Sequence, residues 1–438
     1  MIERDLIVIG SGPGGYPAAA AAAAQGRKVT VIERGLPGGT CLNRGCIPTK
    51  CLARTAEVAL TAREAAGFGI LTGETRVDYG RAVDRKNEVI AGLREGVKAV
   101  LGGVETVEGE ARIVSGEPLQ VAVGNDVYTA PQVIIATGSE PVRLNIPGAE
   151  LAMTSDEILE LRELPASLAV IGGGVIGLEF ASIFAALGVE VTVIEYCKEV
   201  LPPFDSEIAK RLRMALKKRG VSFILGAEVT AMRSGIEIDY TAKGKTGYVV
   251  AEAVLMAVGR KAVIPAGTTE ADVETTRRGI SVNPQTMESS VKGLYAVGDV
   301  NGLCQLAHAA TAQGLRAVGE DVDLEPVPSA VFTVPEAAMS GLTEAQAEAA
   351  GYNVKIGKAT FRSNGKALAE GDAEGMVKVV IDADTDRILG AHILGLHAAD
   401  LIHELSLAIA AGVTAGQLHK AVHAHPTLAE TVAHACKA

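Results

Sequence analysis

Two cysteines five residues apart, Cys41 and Cys46, are the residues of this chain best suited to redox chemistry. They lie in the glycine-containing stretch 38–50, and Cys41 follows eight residues after Glu33, where an apolar strand pattern ends. A dithiol beside a bound redox cofactor passes two electrons through a disulfide, whereas a stabilising crosslink usually closes a longer loop in a secreted protein. The spacing therefore predicts an electron relay, provided that a cofactor binds next to it.

A second group suited to chemistry is His425, which Glu430 follows five residues later. If Pro426 begins a helix, Glu430 lies just over one turn along it, and its carboxylate can orient the imidazole for acid/base work. One alternative is that these are incidental surface histidines near the C-terminus. Another is a metal site built on the nearby pair His419 and His423, but no cluster of cysteines or carboxylates accompanies them. The remaining histidine of this group is His434.

These groups need a scaffold, and the chain contains one unit of strand, glycine turn, helix and strand twice. The first copy covers residues 6–33 and the second covers residues 168–195. Five positions agree at one constant offset of 162 residues: Gly10, Gly12, Gly15, Gly26 and Glu33 correspond to Gly172, Gly174, Gly177, Gly188 and Glu195. Ordinary glycine turns do not repeat five positions in register, so the pattern predicts two dinucleotide-binding units.

Each residue type in this unit has a physical role. The first glycine allows a tight turn, the second lets the backbone approach a pyrophosphate, and the third lets helix and strand pack closely. The helix N-terminus offers free N–H groups and a partial positive charge to phosphates. Glu33 and Glu195 can accept hydrogen bonds from ribose hydroxyls and would repel a 2′-phosphate. Because no arginine follows Glu195 within five residues, the second unit should prefer NAD to NADP.

Composition narrows the class of protein. A formal charge of −11 without a basic block argues against nucleic acid or an anionic membrane surface as a partner. The N-terminus leaves no room for a signal peptide, and no apolar run reaches the roughly 18 residues of a membrane span. We therefore expect a soluble cytoplasmic protein. In a reducing compartment, isolated cysteines are expected to be small buried hydrophobes, and this chain has four: Cys51, Cys197, Cys304 and Cys436.

Strand and turn patterns indicate how the units are arranged. Residues 133–139 and 254–259 each read as a buried strand leading to a glycine turn, so the second nucleotide unit is expected to be inserted in the first. Asp299 ends a third such strand, where it could contact a polar ligand or cap a helix. From about residue 327, strands alternate with helices without a glycine fingerprint, which indicates an interface domain.

Taken together, the dithiol loop, the two glycine units, the strand before Asp299 and the run 423–430 resemble the FAD-dependent pyridine nucleotide-disulfide oxidoreductases. Within that family the chain is most similar to members that oxidise protein-bound dihydrolipoamide with NAD. The resemblance implies an α/β fold with two Rossmann-like dinucleotide-binding domains, the NAD domain inserted in the FAD domain, and a C-terminal α+β dimerisation domain. The implied boundaries are 1–148 for the first part of the FAD domain, 149–266 for the NAD domain, 267–326 for the second, central part of the FAD domain and 327–438 for the dimerisation domain.

The resemblance also implies which residues react. Cys46 would contact the flavin, and Cys41 would exchange disulfides with the substrate. His425 and Glu430 would be the acid/base pair, supplied by the other subunit of a homodimer. The bond between His425 and Pro426 is expected to be cis, which costs an X-Pro bond only about 0.5 to 1 kcal/mol.

Cofactor contacts are carried over position by position. Lys50 and Glu179 match the family's ion pair beside the flavin. The residues expected at FAD are Gly10, Gly12, Gly14, Gly15, Glu33, Arg34, Gly39, Thr40, Ala111, Thr137, Gly138, Ser139, Asp299 and Ala307. Those expected at NAD are Gly172, Gly173, Gly174, Val175, Ile176, Gly177, Glu195, Val229 and Gly259. No metal is expected.

Two departures from the family pattern stand out. Residues 261–264 replace the basic-Pro-Asn that often follows Gly259-Arg260, and Arg44 replaces a residue that is commonly apolar. A cation at Arg44 could favour the thiolate form of Cys41 or Cys46, which would make the dithiol more reactive than usual.

The resemblance implies one external partner, a lipoyl-bearing protein of a 2-oxoacid dehydrogenase or glycine cleavage complex. Rival interpretations are a sister disulfide or mercuric reductase and a non-catalytic, redox-responsive flavoprotein. A glutathione reductase would need basic residues after Glu195 for NADPH, and a mercuric reductase would need a cysteine pair where only Cys436 is found.

Overall fold

The computed structural model describes residues 1–116 and 118–437, so the last residue of the predicted dimerisation domain lies outside it. The first glycine unit is built on strands whose residues are almost entirely apolar and buried, as a strand covered on both faces requires. The elements of this first region are β1 (Ile2–Glu3), β2 (Leu6–Ile9), α1 (Tyr16–Ala24), β3 (Val29–Glu33), α2 (Gly39–Arg44), α3 (Cys46–Glu64), α4 (Tyr79–Val100), β4 (Glu105–Glu108), β5 (Ala111–Gly116), β6 (Leu119–Val123), β7 (Asp126–Thr129), β8 (Val133–Ile135) and β9 (Ser139–Pro141).

The second glycine unit follows, and the chain then returns to the first. The inserted elements are β10 (Ser167–Ile171), α5 (Val175–Ala186), β11 (Glu190–Glu195), α6 (Ser206–Lys218), β12 (Val221–Leu225), β13 (Ala227–Arg233), β14 (Glu237–Ala242), β15 (Lys245–Val250), β16 (Ala253–Met256) and β17 (Arg260–Ala262). The returning elements are β18 (Leu294–Ala296) and α7 (Ala307–Ala317).

Two parallel sheets form the centres of the two nucleotide units. The first has the strand order β18-β8-β2-β3-β4, and the second has the order β12-β11-β10-β16. Strand β18 pairs in parallel with β8 although the whole second unit lies between them in the chain. This pairing confirms the expected insertion of one nucleotide unit in the other. Three further sheets of four, three and two strands have the orders β1-β7-β6-β5, β13-β14-β15 and β17-β9.

The C-terminal region is a five-stranded antiparallel sheet with helices packed against it. The elements are β19 (Ser329–Val331), β20 (Glu336–Gly341), α8 (Glu344–Ala349), β21 (Val354–Thr360), α9 (Gly365–Ala369), β22 (Met376–Asp382), β23 (Ile388–Gly395), α10 (Ala398–Ala410), α11 (Ala415–Lys420) and α12 (Glu430–Ala435). The strands lie in the order β19-β20-β23-β22-β21, and every residue of β22, an interior strand, is buried. The α/β class with a C-terminal α+β region is therefore confirmed.

The four isolated cysteines do not share one environment. Cys436 is buried, as expected, and burial raises its pKa to about 12. Cys51, Cys197 and Cys304 are only partly buried, so the expectation is wrong for these three. Among the described residues, none of the helices combines the length and apolar run that a bilayer crossing requires.

Candidate active site

A single cavity of about 1140 Å³ brings the dithiol and parts of both nucleotide units together. Pockets that bind small molecules usually measure about 300 to 1,000 Å³, so this one has room for a ligand as large as a dinucleotide. The predicted site residues that line it are Gly10, Gly12, Gly14, Glu33, Arg34, Gly39, Thr40, Cys41, Cys46, Lys50, Ala111, Thr137, Gly138, Ser139, Val175, Ile176, Glu179, Asp299 and Ala307. The predicted site residues outside its lining are Gly15, Gly172, Gly173, Gly174, Gly177, Glu195, Val229, Gly259, His425 and Glu430.

Cys41 and Cys46 form a disulfide that joins two consecutive helices at the cavity wall. Cys41 lies within α2, and Cys46 is the first residue of the long helix α3, where the free N–H groups and the helix dipole stabilise a thiolate. Asn43, between the two cysteines, donates hydrogen bonds to backbone carbonyls of the same loop, including that of Gly39 at 2.9 Å. Arg94 of α4 in turn donates to the Asn43 side chain. The dithiol is therefore held on a fixed loop.

Three distant parts of the chain meet around an ion pair whose carboxylate is buried and whose ammonium is partly exposed. Lys50 lies one helical turn after Cys46 on α3, and its Nζ is 2.9 Å from Oε1 of Glu179 on α5. The backbone N–H of Phe332, from the C-terminal region, donates to the same carboxylate oxygen at 3.0 Å. The Lys50 ammonium also lies 4.3 Å from the centroid of the Phe332 ring, within cation–π range. This cluster fixes the first nucleotide unit, the second unit and the C-terminal region against one another at the cavity.

The first glycine unit has the cradle that a dinucleotide needs. Gly10 has φ +101°, and a Cβ there would lie 2.5 Å from the Ala136 carbonyl oxygen. A Cβ at Gly15 would lie 1.9 Å from the carbonyl oxygen of Gly10, so both positions require glycine. At Gly12, by contrast, a Cβ would meet the Gly39 Cα at an ordinary contact distance of 3.7 Å, and Gly12 lines the cavity, where a pyrophosphate can approach its backbone. The residues present therefore fit FAD, the group that the sequence predicts at this unit.

Glu33 ends the second strand of this unit and faces the same cavity. Its Oε2 accepts hydrogen bonds from both the backbone N–H and the hydroxyl of Ser11, each at 2.7 Å, and its Oε1 accepts from the Gly35 N–H. These donors hold the carboxylate where it can also accept from ribose hydroxyls.

The second unit repeats this geometry at the same offset. A Cβ at Gly172 would lie 2.4 Å from the Ala257 carbonyl oxygen, and one at Gly177 would lie 2.0 Å from that of Gly172. Glu195 accepts hydrogen bonds from the Gly173 and Cys197 backbone N–H groups, which are the counterparts of Ser11 and Gly35. The turn therefore fits a second dinucleotide. Its helix α5 brings Val175, Ile176 and Glu179 to the common cavity, while the turn itself lies outside that cavity's lining.

Asp299 lies where the returning strand β18 ends, in a short 3₁₀ helix, Gly298–Asn301. Its Oδ2 accepts a hydrogen bond from the hydroxyl of Ser139, which in turn accepts from Nε of Arg260 at 2.8 Å. Of the two predictions for Asp299, the helix cap is therefore wrong, because Val297 is the N-cap residue and no side chain caps that helix. The carboxylate faces the cavity, as a ligand contact requires.

His425 does not line the cavity of its own chain. Its side chain is 78% exposed, and its Nδ1 lies 2.9 Å from Oε1 of Glu430. The other Glu430 oxygen accepts from the Thr427 backbone N–H, and this bond and His425 lower the Glu430 pKa. The bond between His425 and Pro426 is cis, as expected. The prediction that Pro426 begins a helix is wrong, because a turn at 428–429 intervenes and α12 begins at Glu430.

The alternative of a metal site at His419 and His423 finds no geometric basis. His419 lies on α11, while His423 follows the end of that helix, so the two do not share a helical face. Nδ1 of His419 is 3.0 Å from the Ala433 carbonyl, and Nε2 of His423 is 2.8 Å from Glu404. The described residues hold no group of three or more His, Cys, Asp or Glu side chains arranged for a metal.

Several cavity residues escape sequence reasoning. Arg260, Asp156 and Phe332 line the cavity, but none of them is among the predicted site residues. Arg260 pairs with Ser139 and burial lowers its pKa, although its position after Gly259 is the one signal that could have drawn attention to it. Asp156 lies 3.4 Å from Nε of Arg44, so the unusual cation of the dithiol loop has a carboxylate partner.

The two remaining predicted NAD contacts lie apart from the cavity. Val229 is buried in the hydrophobic core between the second nucleotide sheet and the β13-β14-β15 sheet. Gly259 has φ +119° and its carbonyl accepts from the Val142 N–H, which ties the end of the inserted unit to the first. Their role at NAD stays a prediction.

Comparison with known families matches nearly the whole chain. Residues 4–314 match the pyridine nucleotide-disulphide oxidoreductase family, and residues 327–436 match the dimerisation domain of pyridine nucleotide-disulphide oxidoreductases.

Among curated relatives, the dihydrolipoyl dehydrogenase of Bacillus subtilis strain 168 is 42% identical and covers 100% of this chain and 98% of its own. The enzyme of the same name from Thermus scotoductus is also 42% identical, with the same coverage. Among solved structures, the HOCl-induced flavoprotein disulfide reductase RclA from Escherichia coli superposes with a TM-score of 0.85 at 28% identity, covering 98% of each chain.

Proposed function

The chain belongs to the pyridine nucleotide-disulphide oxidoreductase family, and from that premise we propose that it is a dihydrolipoyl dehydrogenase. The reaction is the oxidation of dihydrolipoamide to lipoamide coupled to the reduction of NAD⁺ to NADH. The observation that carries the proposal is that one cavity is lined by the Cys41–Cys46 disulfide and by residues of both glycine units. A dithiol in that place can pass electrons between a thiol substrate and two nucleotides.

The first unit would hold FAD and the second would hold NAD. The glycine turn at Gly10 to Gly15 would hold the FAD pyrophosphate and Glu33 would hold its ribose, while Asp299 and Lys50 line the same cavity. When bound, the flavin supplies two-electron transfer between a dithiol and a nicotinamide. The Glu195 carboxylate would accept hydrogen bonds from the ribose hydroxyls of NAD, and its negative charge would repel the 2′-phosphate of NADP.

The chain's own residues carry the thiol chemistry. His425 of the partner subunit removes a proton from one substrate thiol, and the thiolate attacks Cys41. The Cys41–Cys46 bond breaks, a mixed disulfide forms, and Cys46 leaves as a thiolate stabilised at the N-terminus of α3. The second substrate thiol then loses its proton and attacks the first substrate sulfur, the bond from that sulfur to Cys41 breaks, and Cys41 leaves as a thiol that takes up the proton held by His425 of the partner subunit. Lipoamide is released, the two cysteines are left reduced, and one electron pair is available for NAD⁺.

The assembly is a homodimer that works on a lipoyl group carried by another protein in the cytoplasm. Three observations support the dimer: the match to a dimerisation domain at residues 327–436, the 78% exposure of His425 and its absence from the cavity lining of its own chain. We also propose the division 1–148, 149–266, 267–326 and 327–438. Two observations support this division. Strands β8 and β18 pair although the inserted unit lies between them in the chain, and the first family match ends at residue 314 while the second begins at residue 327.

One spectrophotometric experiment tests the proposal. Purified enzyme is mixed with dihydrolipoamide and NAD⁺, and NADH absorbance is followed. In parallel runs the substrate pair is replaced by glutathione disulfide with NADPH or by mercuric ion with NADPH. Rapid NAD⁺ reduction with dihydrolipoamide alone is expected. A chain that turns over only another pair belongs to a sister reductase, and one that turns over none is a redox-responsive flavoprotein.

A further inference from the structure

The segment 421–429 carries two histidine–glutamate pairs that differ in exposure. His425 pairs with Glu430 and is open to solvent, whereas the side chain of His423 is only 11% exposed. Nε2 of His423 lies 2.8 Å from Oε1 of Glu404, a residue of α10, and its Nδ1 lies 2.9 Å from the Ala421 carbonyl oxygen. The His423–Glu404 pair is therefore part of the packed structure, whereas the His425–Glu430 pair is exposed and can contact another molecule.

Both partners of the His423 ring are acceptors. A carbonyl oxygen and an ionised carboxylate cannot donate a proton, so both ring nitrogens must carry one for both contacts to be hydrogen bonds. His423 is then an imidazolium. Burial opposes this charge, but the hydrogen bonds to Ala421 and Glu404, together with the nearby carboxylate of Glu430, outweigh it and raise the pKa of His423.

We propose that His423 is a positioning residue for the acid/base histidine, holding the segment so that His425 keeps its direction toward the reacting thiols. This inference rests on the proposed function. Among the described residues, a second polar contact from outside the segment is that of Asn364, whose side-chain amide donates to the Thr427 carbonyl at 2.9 Å. The His423–Glu404 bond joins the segment to α10 before His425 in the chain, and the Asn364 bond holds it after His425.

Position matters here because proton transfer is sensitive to small displacements. A shift of about 1 Å in a catalytic group costs up to about 100-fold in rate. We therefore expect His423→Gln to lower kcat/KM for dihydrolipoamide by about 10- to 100-fold. Oxidation of NADH by an artificial acceptor does not need His425 and should be unchanged.

Glu404→Gln separates positioning from a purely structural role. The amide can still accept one hydrogen bond, but it removes the charge that favours the imidazolium. A raised pKa means that the imidazolium contact is present at low pH and is lost as pH rises through that pKa. In Glu404→Gln the loss should move down toward the ordinary histidine value of about 6.5. At acid pH, the kcat/KM of Glu404→Gln for dihydrolipoamide should then equal that of wild type. As the pH rises, its kcat/KM should fall toward that of His423→Gln, and this fall should begin at a lower pH than in wild type.

Asp400→Asn is the matched control. It makes the same carboxylate-to-amide change one turn earlier on α10, facing His397 at 3.8 Å, but both side chains of that pair are largely exposed. Its pH profile should coincide with that of wild type. A wild-type rate in His423→Gln, or a wild-type pH profile in Glu404→Gln, would overturn the inference while leaving the proposed function intact.

A second readout does not depend on turnover. The chain has eight histidines, so ring signals from ¹³C-histidine-labelled protein can be assigned by comparison with His423→Gln. The His423 signal should titrate above the ordinary histidine range in wild type and lower in Glu404→Gln. An ordinary midpoint that Glu404→Gln does not move would refute the imidazolium contact. Absence of dihydrolipoamide turnover in wild type would instead count against the proposed function.

Discussion

At the scale of single residues, the two cysteines have different surroundings although they share one disulfide. Cys46 begins α3, whose next turn carries Lys50 toward the buried carboxylate of Glu179. Cys41 lies on the shorter helix α2. A helix N-terminus stabilises negative charge, so the electron pair released on reduction is best held at Cys46. This asymmetry supports Cys41 as the sulfur that the substrate attacks.

The role of His425 predicts a selective loss. His425→Gln should lower dihydrolipoamide turnover by about 10²- to 10⁴-fold, the usual contribution of a general acid or base. Oxidation of NADH by an artificial acceptor should survive, because that reaction needs no thiol deprotonation. Steady-state assays of both reactions check this, with His434→Gln, an exposed histidine on α12, as control. Equal loss of both reactions in His425→Gln would contradict the assignment.

The Arg44–Asp156 pair predicts opposite effects on the dithiol. Arg44 lines the cavity with the cysteines, and Asp156 partly neutralises its charge. After reduction of the disulfide, Arg44→Val should shift the alkylation rate to higher pH because a cation that favours thiolate is lost. Asp156→Asn should shift it to lower pH because the neutralising carboxylate is gone. Iodoacetamide labelling across pH measures both, and superimposable curves for the three proteins would disprove any influence of Arg44.

At the scale of elements, a buried charge network joins the inserted unit to the C-terminal sheet. Nζ of Lys378, on β22, lies 2.8 Å from Oδ2 of Asp205 and 2.7 Å from Oε2 of Glu344. Asp205 also caps α6, since its Oδ1 accepts from backbone N–H groups of the first turn. The side chains of Lys378 and Asp205 are each only 3% exposed. The inserted unit and the C-terminal sheet are therefore held together by an ion pair that solvent hardly reaches.

This network predicts a large loss of stability. Lys378→Met leaves Asp205 buried without its cation, which should cost about 3 to 5 kcal/mol of unfolding free energy. Lys358→Met is the control, because Lys358 joins β21 to Glu207 of the same helix α6, but at 46% exposure. That exposed pair should contribute less than about 1 kcal/mol. Urea midpoints of the two variants and wild type measure the difference, and equal midpoints would show that the buried pair is not stabilising.

At the scale of the whole molecule, the cavity contains the dithiol but not the acid/base pair of its own chain. Its walls come from both nucleotide units and the C-terminal region, but the acid/base pair of the same chain lies elsewhere, exposed to solvent. A dimer in which each chain lends His425 to its partner brings the two halves together.

Hybrid dimers test this arrangement. One chain carries Cys46→Ser and the other His425→Gln, each with a different affinity tag, and doubly tagged dimers are purified after coexpression. If His425 serves the partner's dithiol, the hybrid keeps one intact site and about half the wild-type dihydrolipoamide activity, although each parent dimer is inactive. If His425 serves its own chain, both sites of the hybrid are defective and no activity returns.

The sequence by itself determined what depends on neighbouring residues. The glycine turns, the strands beside them and the dithiol loop are set by local backbone preferences, which a repeat at a constant spacing makes readable. The two glycine turns then have the same geometry in the structure, including the close approach of Gly15 to Gly10 and of Gly177 to Gly172. Even locally one expectation failed, because Pro426 is followed by a turn and α12 starts at Glu430.

Only the tertiary structure decided which distant residues meet. Phe332 lies 153 residues from Glu179, and Glu404 lies 19 residues from His423, yet each pair is in hydrogen-bond contact. No local pattern encodes such contacts, because they arise when whole elements pack and buried polar groups must find partners. The exposed position of His425, outside the cavity of its own chain, is set in the same way by the contacts that hold the segment 421–429.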